Sequence, residues 1–333
     1  MTSMSDGEFD LALLRDLAND VPFRDDAAYE RALTRLEEVM EKERELAIDA
    51  RTRIPRTRIL ALVAAVVVLL TFSVQLLLPA GRGGPSIAAA ALLSLGDTAG
   101  GMATTRFPAG AYAYEQLIGT AKVTGQSLVD GSRWTADVSF ARERWVARDG
   151  SGRELSRGTG YTWPSPEDSR TWREAGSPEI PGALVVDDTT YRAGDLPFIS
   201  PETLPSDPAE LGTLIEQREI LGSPPGPAGS FDIIGDLLRP RYLAPEQRAA
   251  LFQVAAEIPG IVHDGTVTDA AGREGIGISI TEGSTRLQLI FDPASSEVLG
   301  ERRFETRSDG EEILMQEYTY LEAGIVASID DRP

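Results

Sequence analysis

The residues able to do chemistry in this chain are few. His263 is its one histidine, and it has no cysteine. Any Ser-His-acid triad would have to run through His263, and neither a His-pair nor a Cys-based metal site can be assembled. Disulfides, thiol nucleophiles and lipid attachment through a cysteine are excluded as well. His263 stands beside Asp264 at the start of a strand pattern and reads as a structural or exposed residue. The acidic pairs Asp187-Asp188, Glu311-Glu312 and Asp330-Asp331 can in principle hold Ca²⁺. None has the spaced oxygen-ligand loop of a dedicated calcium site, so they read as solvated surface. No G-x-S-x-G motif and no Gly-rich phosphate loop is present. The expectation is therefore no catalytic residue, no metal, no cofactor and no enzyme.

Two groups of apolar residues are left as candidates for binding. Tyr112, Tyr114, Trp134, Phe140 and Trp145 can line an apolar ligand cleft, with ordinary core packing as the default for such rings. Leu13, Leu17, Leu33, Leu36 and Met40 recur at helical spacing and can face a protein partner.

The elements that must position these groups are organised by one segment. Residues 59–78, ILALVAAVVVLLTFSVQLLL, carry no charge. At about 1.5 Å per residue they span about 30 Å, the thickness of a bilayer's hydrocarbon core. Arg51, Arg53, Arg56 and Arg58 precede the segment, and only Arg82 follows closely. The positive-inside rule then places the N-terminus in the cytoplasm and the C-terminal part outside, in a single-pass plasma-membrane protein. A cleaved signal peptide would need a short basic start and a shorter apolar run. A retained anchor is the better reading, although Ala88 and Ala90 offer a weak small-x-small cleavage site. The chain's net charge is −20, with −4 in residues 1–58 and −16 in residues 79–333. That balance argues against direct nucleic-acid binding, which needs a basic face.

Residues 1–58 are predicted to form a cytoplasmic helical segment. Ser5 and Glu8 have capping-box spacing, and Phe9, Leu13, Leu14, Leu17 and Val21 follow on one face. Pro22 interrupts the pattern, and Tyr29, Leu33, Leu36 and Met40 form a second stripe. Two helices of this size cannot enclose a core alone. They are either a weak hairpin that spaces the anchor or a docking segment for a cytoplasmic protein.

Residues 79–108 read as a linker and an Ala-rich helix over Ser86–Leu95, and 109–333 as an extracytoplasmic α+β domain. Strand patterns cover Tyr112–Thr124 and Arg133–Arg148. In the second, Trp134, Ala136, Val138 and Phe140 share a phase that Arg142 and Arg144 continue; Trp145 breaks it, which suggests a bulge. Residues 164–206 read as a long surface connection. Helices are predicted from Pro208 through Ile215, over Phe231–Arg239 and over Pro245–Ile258, with Leu251, Ala255 and Ile258 on one face. Strands then follow at Val262–Thr268, Gly275–Thr281, Thr285–Phe291, Val298–Glu305, Glu311–Tyr320 and Gly324–Ile329. The expected architecture is a curved antiparallel sheet with helices 207–258 packed on its apolar face.

Several blocks resemble a known group. They are LLRDLANDVPFRDDAAYERALTRLEEVM (13–40), LPSDPAEL (204–211), RAALFQVAAEIPGI (248–261), DAAGREGIGI (269–278) and FDPASSEVLGE (291–301). With the basic flank and single span, they resemble an actinobacterial family of membrane-anchored proteins often encoded beside extracytoplasmic-function sigma factors. The outer meander is also similar to the periplasmic lipoprotein-carrier half-barrel. These resemblances imply an anti-sigma-like regulator whose cytoplasmic partner is a sigma factor, or a tethered domain that binds a lipid or small ligand without signalling. The zinc-binding type of anti-sigma domain does not apply, because residues 1–58 hold neither His nor Cys.

The orientation can be tested directly. A reporter active only in the cytoplasm, fused after Pro333, is expected to be silent. Replacing Arg51, Arg53, Arg56 and Arg58 with Asn is expected to scramble insertion, read as a mixed reporter population.

Overall fold

A computed structural model describes residues 86–103, 107–127, 130–217 and 226–333. These belong to one compact unit that begins at Gly83. The apolar segment 59–78 and the stripe Leu13, Leu17, Leu33, Leu36 and Met40 lie outside the described residues. No helix among the described residues is long and apolar enough to cross a membrane.

Nine strands form one antiparallel sheet. They are β1 (Tyr112–Gln126), β2 (Arg133–Ala147), β3 (Gly152–Thr162), β4 (Val186–Tyr191), β5 (Val262–Thr268), β6 (Glu274–Glu282), β7 (Thr285–Phe291), β8 (Val298–Thr306) and β9 (Glu312–Val326). Their order across the sheet is β4-β3-β2-β1-β9-β8-β7-β6-β5. The chain lays down four strands outward from β1, crosses in helices, and then returns inward from the far edge until β9 pairs with β1.

Five α-helices accompany the sheet: α1 (Ile87–Gly100), α2 (Pro166–Glu174), α3 (Pro208–Gln217), α4 (Pro227–Leu238) and α5 (Pro245–Glu257). Their starts follow from local chemistry. The Ser86 hydroxyl accepts from the Ala89 amide at 3.1 Å, and Ser165 does the same for Asp168 at 3.1 Å. Asp207 accepts from the amides of Ala209 and Glu210, both at 3.0 Å, ahead of α3. Proline stands at the first position of α2, α3, α4 and α5, where its missing N–H costs nothing.

Alternation assigns the two sheet faces. Ile278 and Ile280 of β6 pair with Leu289 and Leu287 of β7, and all four are buried under the helices. Helix α4 lies directly on these strands. A Cβ at Gly235 would come within 2.9 Å of Leu289, so glycine permits the close approach. Helix α5 is the centre of the helical layer, with α1, α3 and α4 packed around it. It is therefore buried on several sides rather than along one stripe: Leu251, Phe252, Ala255 and Ala250 are enclosed, and so are Gln247 and Arg248. The polar pair is satisfied by carbonyls. Gln247 donates to Pro201 at 2.6 Å and Leu204 at 2.7 Å. Arg248 donates to Leu238 at 2.8 Å, Pro240 at 3.2 Å and Ser296 at 3.3 Å, closing the C-terminal end of α4.

Three expectations change. Residues 164–206 are not an unstructured surface connection: they carry α2, β4 and a 3₁₀ turn at Pro201–Thr203. Ile180 and Ala183 from this segment are buried with Trp134, Ala136 and Val138, and Trp163 and Trp172 pack on that cluster. The final two predicted strands are one strand, β9. Trp145 does not mark a bulge between β1 and β2, whose register runs unbroken from Tyr112↔Ala147 to Gln126↔Arg133. It simply occupies the opposite face, and the irregularity in β2 falls against β3, between Ser139 and Phe140.

Leu251 is fully enclosed, so a carboxylate there has no partner. Leu251→Asp is expected to lower the unfolding free energy of the unit by about 3–5 kcal/mol, measured by urea denaturation.

Candidate functional site

The five aromatic residues expected in one cleft are divided by β alternation. Tyr114 and Trp145 are direct cross-strand partners on the face away from the helices. They are buried with Leu155 and Val326, and Tyr112 packs on the same cluster. The C-terminal residues cover this face: the Trp145 indole N–H donates to the Asp331 carbonyl at 2.7 Å. Arg153 and Arg332 lie 5.4 and 5.6 Å from the Trp145 ring. The Tyr114 hydroxyl donates to Glu143 at 3.0 Å, and burial together with that carboxylate holds it protonated well above its ordinary range.

Trp134 and Phe140 point to the helical face, at separate places. Trp134 stacks edge-on with Trp163, centroids 6.1 Å apart, under the 164–185 segment. Phe140 meets Tyr318 edge-on at 5.9 Å, beside the main core. Each ring covers a glycine of β1, Gly125 and Gly119, which leaves no space for a Cβ there. No single apolar cleft is lined by all five.

One cleft among the described residues lies between these aromatic clusters, on the helical face. It is open to solvent on one side and offers about 150 Å³ of space. Glu115 and Arg144 supply its floor as cross-strand partners on β1 and β2, with Val146 next to them. Phe198 and Ile199 form one wall; Leu237, Tyr242 and Leu243, at and beyond the end of α4, form the other. Phe198 stacks on Tyr242 at 5.1 Å, and Phe107 touches both rings, at 5.4 and 5.3 Å.

The electrostatics of the cleft are uneven. Arg239 is tied to Asp236 and donates to the Tyr320 hydroxyl at 2.6 Å. Arg241 pairs with Glu297 at 2.5 Å. Arg142 and Arg144 are left much looser. Their nearest carboxylates, Glu115 and Glu154 respectively, stand 3.8 Å away. The Nε of each is buried without a hydrogen-bond partner among the described residues. Burial lowers the pKa of Arg144, opposed by Glu115 and Glu154.

Other polar groups are committed to structure. Carboxylates of Asp232, Asp236 and Glu301 converge to within 4.8 Å of one another, a separation that suits a metal ion. Guanidinium groups already meet them, however. Arg303 donates to Asp232 at 2.6 Å and Glu301 at 2.9 Å, which ties α4 to β8, while Arg239 holds Asp236. The three sequence-adjacent acidic pairs are likewise engaged: Asp188 with Arg153 at 2.7 Å, Glu312 with Arg286 at 2.7 Å and Asp330 with Arg153 at 2.8 Å. His263 lies on β5, at the edge of the sheet, opposite Ile278.

The side chains that make the cleft were visible in the sequence only in part. Arg142 and Arg144 continue the inward phase of Trp134–Phe140, which is the signal that cations face the core side. Phe198, Ile199 and Tyr242 sit on connecting segments without periodicity, where no pattern announces them.

No family model matches the chain, and no curated protein is similar to it in sequence. A solved structure titled "Crystal structure of MucB" resembles it at 10% identity and a TM-score of 0.27, covering 72% of this chain. The chain spans 60% of that protein's length. At that score the likeness assigns neither fold nor function.

Burial pushes the Tyr242 hydroxyl from its ordinary 10.0 up to about 12, with Glu115 adding to the rise and Arg144 opposing it. The folded value exceeds the unfolded one, so the neutral hydroxyl's stabilisation is complete below pH 10 and is lost as pH climbs through 12. Unfolding free energy is expected to fall over that window. Tyr242→Phe should make the fall shallower by about 2–3 kcal/mol, measured by denaturant titration at stepped pH. Burial also raises Tyr114 and Tyr320, so part of the fall remains in the variant.

Proposed function

We propose that this protein is a membrane-anchored regulatory sensor, anti-sigma-like in plan. Residues 59–78 anchor it in the plasma membrane with the N-terminus in the cytoplasm. The α+β unit lies outside and binds a small ligand. Residues 1–58 present Leu13, Leu17, Leu33, Leu36 and Met40 to a cytoplasmic protein, a sigma factor in the family that the sequence blocks resemble. The charge asymmetry around 59–78 supports the orientation.

The observation that carries the sensing half is the cleft over Glu115 and Arg144. Two charged side chains face a partly apolar space with no close partner, an arrangement that favours recognition of a polar ligand. It holds no nucleophile with an adjacent base, so binding rather than turnover is the role proposed for it. The second reading is a tethered binding protein whose inner segment only anchors.

Capture from intact membranes separates the two. The full-length chain, crosslinked in cells, should retain a cytoplasmic protein of the sigma-factor class. Leu33→Ala combined with Leu36→Ala should weaken that capture by about 2–4 kcal/mol, the usual loss for two anchoring side chains at an interface centre, with membrane insertion unchanged. Equal capture by both chains would overturn the docking role of this stripe.

A further inference from the structure

We propose that the cleft over Glu115 and Arg144 binds a free α-amino acid with an apolar side chain of leucine or phenylalanine size. This deepens the sensor reading and rests on it.

Two charges on the cleft floor have no close partner. Glu115 and Arg144 sit opposite each other on neighbouring strands, so an acceptor and a donor of opposite sign stand side by side on the cleft floor. Neither is satisfied internally. The ion pairs nearest to them, Glu115 with Arg142 and Arg144 with Glu154, are both 3.8 Å long, beyond hydrogen-bond reach. The Arg144 Nε is buried with no partner, and the guanidinium is disfavoured by its desolvation. A carboxylate received by Arg144 would supply the missing charge-assisted hydrogen bonds.

A simple anion would leave the charge sum wrong. Of the charged side chains that line the cleft, Arg239 is paired with Asp236 and Arg241 with Glu297, which leaves Glu115 and Arg144. One charge of each sign is left without a close partner, and burying a lone negative charge beside Glu115 is costly. A zwitterion keeps the balance: its ammonium group meets Glu115 while its carboxylate meets Arg144. In an α-amino acid these groups are separated by one carbon, which suits two side chains on adjacent strands.

Size and walls define the rest. The cleft's space of about 150 Å³ matches a cavity that admits benzene. Val146, Phe198, Ile199, Leu237 and Leu243 give it an apolar side. That suits one isobutyl or benzyl group better than a long acyl chain, most of which would stay in water. Tyr242 lines the same cleft, and its hydroxyl can donate to the ligand carboxylate.

The test uses the full-length chain in nanodiscs, with melting temperature and calorimetric titration as readouts. Four probes are compared: L-leucine, L-leucinamide, 4-methylpentanoate and dodecanoate. Leucine is expected to bind and to raise the melting temperature with concentration. The amide lacks the carboxylate, and 4-methylpentanoate lacks the ammonium; each should bind at least roughly tenfold more weakly. Arg144→Gln and Glu115→Gln should each remove the leucine response. Should either fail to fold, Ile199→Trp fills the apolar side, leaves both charges in place and should remove the response equally. Binding of 4-methylpentanoate as tight as leucine would overturn the zwitterion assignment. Preferential binding of dodecanoate would overturn the size assignment. No response to any probe would overturn the proposal outright. The sensor reading stands or falls separately, on the capture of a cytoplasmic partner by the same full-length chain.

Discussion

The pairing of β1 with β9 is the constraint on which the described unit depends. These strands are separated by most of the unit's sequence, yet they sit side by side at the middle of the sheet. Without this ladder the unit would be two separate sheets, β1–β4 and β5–β9, each with a raw edge. Closing such a long loop is entropically unfavourable, and the hydrogen bonds of one ladder contribute only modestly after exchange with water. The pairing therefore relies on burial around it. Leu117 and its partner Tyr320 are both enclosed in the main core on the helical face. On the opposite face Tyr112 lies against Val326, in the cluster that holds Trp145.

One irregularity in that ladder shapes the cleft. The register shifts between Gln116 and Leu117, so that Glu322 opposes Gln116 and Tyr320 opposes Leu117, with Leu321 left between them. A bulge reverses the phase of the strand beyond it. Ala323, rather than Glu322, becomes the partner of Glu115 and lines the cleft. An unshifted strand would bring a second carboxylate to the floor and a bulkier side chain into the space. The same shift leaves Leu321 substantially exposed, at 39%.

The legibility of the fold follows from where the side-chain environment is simple. β1, the first half of β2, β6 and β7 place their large apolar side chains at every second residue, and the sequence shows that period directly, even where β6 and β7 are buried on both faces. The helices are bracketed by capping residues and prolines, and their positions follow from those. The failures share a cause. Residues 164–185 bury Ile180 and Ala183 and pack Trp163 and Trp172 without a regular period, because they are held by tertiary contacts. β3 lies between β2 and β4 and alternates glycine with polar residues; only the Asp149-Gly150 turn before it marks the hairpin. Trp145 broke an inward pattern because both sheet faces are covered at that point, one by α4 and its neighbours, the other by the C-terminal residues. A single-faced reading of β2 cannot accommodate that.

The cleft occupies the one stretch of β2 where the inward phase changes from rings to cations. From Trp134 through Phe140 each inward side chain packs onto a hydrophobic cluster, while Arg142 and Arg144 continue the phase with guanidinium groups. Two desolvated cations on the core side of a sheet are unfavourable unless their charge and donors are met. Elsewhere in the unit the chain meets that requirement closely. Arg248 is enclosed by three carbonyls, and Arg273 reaches Asp269 at 2.7 Å and the Tyr320 carbonyl at 2.7 Å. Arg303 joins two carboxylates on different elements. Against that background, the long contacts of Arg142 and Arg144 stand out as local unspent interaction energy rather than a general looseness of packing. The unpartnered Nε groups of these two arginines lie on this one stretch of β2, where the core gives way to the cleft, so the cost of burying them is concentrated there.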